Sequence, residues 1–217
     1  MADPKIEKWS GWCEGRLRAE ITAMHLHRHV MRELARIDQE HGDLPASYFW
    51  EYLLDTYAIT QATAIRRQVD PTRDVCCLLR LLTEIGADAA LITKRRYIEN
   101  HDPAERDEAE RRFAEKFGGK VGERLDPQIV ASDREVLVNF GAPIKGYVDE
   151  HIAHSSPEIR DGVGVPRFDA LDDAIDGITN VFTKYTEAVI GKTWPVLVPE
   201  IQHDWQAVFR EPWIRAG

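Results

Sequence analysis

The sequence predicts an all-α fold, a single domain over residues 1–217 built as a bundle of about five to six helices. Three observations predict it. Apolar residues recur at three- and four-residue steps along most of the chain, the spacing of one helix face. Proline, glycine and aspartate fall where such segments should start and stop. No segment shows the apolar/polar alternation of a half-buried strand.

The first helix is expected from Lys5 to His41, with Trp9, Trp12, Leu17, Ile21, Met24, Val30, Leu34 and Ile37 on its inner side and Gly42 as the stop. Pro45 opens a second helix, Ala46 to Val69, with Phe49, Leu53, Tyr57 and Ala64 roughly on one face. Asp70-Pro71 ends it, because the residue before a proline avoids helical geometry. Thr72 is expected to cap a third helix to Ile85, and a short helix follows from Asp88 to Ile98. The stretch Asp102 to Leu125 is crowded with opposite charges. Pairs such as Glu108–Arg112 suit helix-neighbour support of about 0.2–0.5 kcal/mol each. It reads as an exposed helix with little core contact, interrupted at Gly118-Gly119. Asp126 caps the next helix, with Pro127 at its first position. That helix runs to His154 with an irregularity at Gly141 to Pro143. The loop SSPEIRDGVGVPRF leads to the last helix, Asp169 to Ile190, whose buried stripe is Leu171, Ile175, Ile178, Phe182 and Tyr185. A tail at 194–217, with Trp194, Trp205, Phe209 and Trp213, is expected to pack on the bundle.

Bulk composition narrows the function. Lys plus Arg is 28 against 37 Asp plus Glu, a net charge of -9, which opposes an unselective coat on nucleic acid and leaves a local basic patch open. The three cysteines, Cys13, Cys76 and Cys77, fit neither a disulfide framework nor a zinc site, so reduced thiols in a cytoplasmic protein are expected. No apolar core of a signal peptide precedes the first helix, and no run reaches the roughly 20 residues of a membrane span. No metal and no cofactor is expected.

Three constellations could carry chemistry. His25, His27 and His29 in MHLHRH alternate as on a metal-binding strand, but on a helix only His25 and His29 share a face, and no third ligand is evident. Arg66 and Arg67 stand at a helix end, where the dipole alone favours cations and where a phosphate contact is the functional alternative. In IKGYVDEHIAHSS, residues 144–156, a helix would align Leu137, Phe140, Ile144, Tyr147, His151 and His154. Histidines on such a face are more often hydrogen-bonded core or interface residues than catalysts.

The string YVDEHIAHSS resembles the signature of the HEPN superfamily, in particular its AbiU-like branch of bacterial abortive infection. That signature runs aromatic, Arg, Asn or Asp, two variable residues, apolar, Ala, His. Tyr147, Asp149, Ile152, Ala153 and His154 match it. The stretch IRRQVDPTRDVCCLLRLL, Ile65 to Leu82, is also similar to that branch, so the resemblance spans most of the chain. It implies a helical bundle that forms homodimers, and in many members a metal-independent ribonuclease whose Arg and His meet across the dimer. A histidine would serve as general base or acid for the 2′-hydroxyl, and an arginine would stabilise charge on the phosphate.

The chain departs from the signature at Val148, which stands where the arginine is expected, five residues intervening before His154. Lys145 precedes His151 at the same spacing and supplies charge without the planar fork of arginine. The leading expectation is a HEPN-like protein, defence- or toxin–antitoxin-associated, whose degenerate nuclease site makes it an RNA-binding or regulatory scaffold. One alternative is an active ribonuclease using His154 with Lys145, Arg66 or Arg67. The other is a non-catalytic module binding a partner protein, with His151 and His154 as interface residues.

Overall fold

The computed structural model describes residues 3–41, 48–72, 74–119, 122–153, 166–192, 201 and 203–207. Every regular element among them is helical, apart from one isolated bridge between Thr93 and Arg124. The all-α expectation holds. Taking α1 and α2 as one rod, the helical elements number seven, slightly above the expected range.

The N-terminal rod consists of α1 (Pro4–Trp12), a π turn at Cys13–Leu17 and α2 (Arg18–His41). Asp3 caps it by accepting from the Lys5 amide at 2.8 Å, and Pro4 occupies the first turn, where its missing N–H costs nothing. Ile6, Trp9, Cys13, Leu17, Ile21 and Met24 are buried. Trp9, Cys13, Leu17 and Ile21 follow one another at four-residue steps. Each such step overshoots one α-helical turn by about 40°, so on a regular helix the stripe would wander off the core. The wider turn at Cys13–Leu17 absorbs that excess.

The expected stop at Gly42 and start at Pro45 lie outside the described residues. In α3 (Tyr48–Gln68) the buried stripe is Tyr57, Ala58, Gln61, Ala62 and Ile65, not the face headed by Phe49, which is 51% exposed. The first half of α3 projects past the core, leaving Tyr48, Phe49 and Tyr52 in solvent. The third helix also starts later than expected. Asp70 takes the Thr72 amide at 2.8 Å, the chain runs on without helix, and α4 (Leu78–Ala87) is capped by Cys77, whose sulfur accepts from the Arg80 amide.

The short α5 (Lys94–Glu99) is capped by Thr93, and α6 (Arg106–Phe113) continues into a π turn at Ala114–Gly118. This charged stretch is not the bare solvated helix expected. Ala109, Phe113 and Phe117 are fully buried, and the two phenylalanines lie against Tyr97 with ring centroids at 5.3 and 5.5 Å. Arg112 and Lys116 reach in to Glu187, at 3.3 and 3.0 Å. Three apolar residues at four-residue steps suffice to seat the helix, although charges outnumber them. Gly119, at φ +45°, ends it where a side chain would collide with Asp126.

Asp126 caps α7 (Pro127–Tyr147) as expected, accepting from the Gln128 amide at 2.9 Å. This helix is the centre of the bundle and packs on α3, α4 and α8 (Phe168–Ile190). It crosses α3 at Gly141, where a Cβ would lie 2.6 Å from a methyl of Val69. The expected irregularity at Gly141–Pro143 does not break it. Pro143 sits inside the helix and denies the Asn139 carbonyl its usual donor, but the change of geometry comes later, in a π turn at Val148–Ala153. Leu171, Ile175, Ile178, Phe182 and Tyr185 of α8 are all buried, as their spacing predicts. Of the tail at 194–217, Trp205 packs against the core and Gln206 donates to Glu33 at 3.0 Å, whereas Trp194, Phe209 and Trp213 lie outside the described residues. No helix among the described residues is long and apolar enough to cross a membrane.

Candidate functional site

Three residues singled out from separate parts of the sequence meet where the end of α3 touches the π turn after α7. Arg66 donates from Nε to Oδ1 of Asp149 at 3.0 Å and from Nη1 to Asp70. Lys145 donates from Nζ to Oδ2 of the same Asp149. Each oxygen of Asp149 is therefore held by its own cation. Local geometry explains the convergence. Lys145 and Asp149 are four apart on consecutive helical turns, so they share a face. Arg66 and Asp70 are also four apart, and the turn that Asp70 makes with Thr72 fixes its carboxylate below the guanidinium.

The cluster holds two cations and two carboxylates. Its side chains are partly open to water: Arg66 31%, Asp149 29% and Lys145 43% exposed. The hydrogen bond from Lys145, and then Arg66, hold the Asp149 carboxyl below the usual aspartate range. Burial opposes ionisation of Asp70, but the Thr72 hydroxyl and amide, with Arg66, outweigh it and leave that carboxyl lowered as well. Asp149, above all, pushes the Arg66 guanidinium up. Carboxyls depressed in the folded state stabilise it fully above their unfolded value, near 3.8, and lose that contribution as pH falls through the folded values. Wild type should therefore be more stable than Asp149→Asn at neutral pH, and the gap between their urea midpoints should close well below pH 3.8. A gap that persists in acid would mean Asp149 acts through packing.

The remaining expected site residues are placed as follows. Arg67 is not part of the cluster. It turns to α2 and pairs with Glu20 at 3.3 Å, an acceptor it shares with Gln68 and Arg16. Tyr147 is buried beside the cluster's helix end. Val148 is 4% exposed and belongs to the core. His151 lies in the π turn, but its side chain is outside the described parts, and His154 is outside the described residues altogether. Asp70 and Glu20 were missed as partners. The only signal for Asp70 is its place before a proline, which reads as a helix stop.

The histidine-rich stretch is structural. The Arg28 guanidinium donates to Nδ1 of His25 at 3.0 Å, so Nε2 carries the proton and donates to Thr179 at 2.7 Å. Burial, then Arg28, lowers the pKa of His25 and keeps it neutral. Both ring nitrogens are engaged, and among the described residues no group of three or more His, Cys, Asp or Glu is placed to hold a metal ion. Nor is a thiolate at hand. Burial pushes Cys13 up to about 12 and raises Cys76 and Cys77. A second concavity of about 680 Å³ lies between α2, α3 and Trp205. No charged side chain lines it, so it has nothing to bind a phosphate. Comparison with protein-family models, curated proteins and solved structures finds no match to the chain.

Proposed function

We propose that this chain is a HEPN-like helical protein whose motif site does not cleave RNA and serves instead as a regulatory scaffold. The observation that carries this reading is the burial of Val148. The position that resembles the catalytic arginine is spent on the core. A guanidinium there would have to leave water without a partner, at a cost of several kcal/mol. The cations nearest at hand do not substitute freely, because Arg66 and Lys145 are both neutralised by Asp149. The resemblance to AbiU-like proteins gives such a scaffold a setting in phage defence or a toxin–antitoxin pair, with RNA or a partner protein as its ligand. Val136 and Val138, 42% and 43% exposed on α7, support a homodimer through that helix.

Purified protein and its His154→Ala variant, incubated with single-stranded RNA, should both leave it intact, and light scattering should give a dimer. Cleavage by wild type that vanishes in His154→Ala would establish the second reading, an active ribonuclease. What favours that reading is the placing of Arg66 and Lys145 on the turn that bears His151.

A further inference from the structure

We infer that Arg66 and Lys145 form a phosphate-binding site whose resident occupant is the protein's own Asp149. A carboxylate held with one oxygen on Nε of a guanidinium and the other on an ammonium presents two anionic oxygens to two separate donors. A phosphate group presents oxygens in the same way, with more charge and more lone pairs. Asp70, anchored by the Thr72 amide, keeps the guanidinium aimed at the site whether or not Asp149 is present. The donors are reached from solvent, since Lys145 and Arg66 stay 43% and 31% exposed. Exchange is intramolecular against intermolecular. Asp149 is tethered to the same helical turn as Lys145, so a lone weak anion does not displace it and a phosphate ligand does so at higher concentration. Leaving Lys145 and Arg66, Asp149 releases the π turn Val148–Ala153 that carries it, and with it the segment bearing His151. The site is thus self-plugged, and ligand binding is coupled to the conformation of the motif.

The inference rests on the reading above in treating residues 145–154 as the functional segment, and it does not depend on whether RNA is cleaved. Asp149→Asn keeps the shape of the side chain and frees both cations. Fluorescence anisotropy with a short labelled single-stranded RNA should show tighter binding, by on the order of tenfold at low salt. The plot of log affinity against log salt should steepen by about 1.4, roughly 0.7 for each of two released cations. The double variant D149N/R66Q should lose most of this gain. Asp172→Asn, which removes a carboxylate paired with Arg28 and Arg32 at the other side of the bundle, should show none. Competition by inorganic phosphate separates a free phosphate or monoester as the preferred ligand from the phosphodiester chain. A folded Asp149→Asn that binds no tighter, or an equal gain in Asp172→Asn, would overturn the inference. If Asp149→Asn does not fold, hydrogen exchange on wild type decides. Inorganic phosphate, and not chloride at equal ionic strength, should speed exchange across Val148–Ala153 and leave Val181–Ala188 unchanged. Identical exchange in the two salts would overturn the inference, and because inorganic phosphate cannot be cleaved, this arm is independent of the ribonuclease question.

Discussion

Trp9→Ala should lower the unfolding free energy by about 4 kcal/mol, the range for truncating a buried tryptophan. The indole is 0% exposed, and its N–H donates to Glu84 at 3.1 Å. The loss comes from the vacated volume and not from a stranded charge, because Glu84 keeps Lys8 and Arg80, both at 2.8 Å. Trp9→Phe, which retains most of the apolar bulk, should cost about half as much or less. Urea titration should move the midpoint with an unchanged slope, and the melting temperature should fall by roughly 8–16 °C for a domain of this size. A loss under about 1 kcal/mol would mean the N-terminal rod is not part of the cooperative fold.

Glu187→Ala is the second large effect, about 3 kcal/mol. The carboxylate is 2% exposed and takes the Tyr97 hydroxyl at 2.5 Å, Arg112 at 3.3 Å and Lys116 at 3.0 Å. Removing one member of a buried ion pair typically costs about 3–5 kcal/mol. The lower end applies, because Lys116 is 46% and Arg112 25% exposed and both regain water. Burial and Glu187 push the Tyr97 hydroxyl well above its ordinary value, so it stays a donor throughout the accessible pH range. Glu187→Gln keeps an acceptor for it and should fall between Glu187→Ala and Tyr97→Phe. Chemical denaturation of the three variants checks the order. A Tyr97→Phe that costs more than Glu187→Ala would show that the hydroxyl, not the charge, dominates.

The helices were legible because their buried stripes are long and periodic: Leu171 to Tyr185 needed no tertiary information. The exceptions have local causes. Thr72 looked like a cap because Asp70's competing claim on its amide is a matter of turn geometry. The charged helix looked bare because composition hides which four-spaced residues, Ala109, Phe113 and Phe117, find a partner. At the site, residue types marked Arg66, Lys145 and Asp149, but nothing along the chain showed that Arg66 and Arg67 diverge, one to Asp149 and the other to Glu20. Neighbouring side chains on a helix point about 100° apart, and only the packing of α3 between α2 and α7 says which of the two each neighbour receives.

The π turn at Cys13–Leu17 also bears on how this chain tolerates changes of length. A π turn is one surplus residue looped out of an otherwise regular helix, with the segments on either side keeping the phase they would have without it. The N-terminal rod therefore contains a site of spare length. Loss of Gly15, against which a side chain would meet nothing within 4 Å, restores plain α-helical winding and leaves Trp9 and Ile21 aimed as before. Loss of one residue within Arg18–His41 has no such slack to draw on. It rotates everything on one side of the cut by about 100° and swings the tryptophan off Glu84. Indels in this protein are thus in frame or out of frame with the core according to which turn of the rod they fall in.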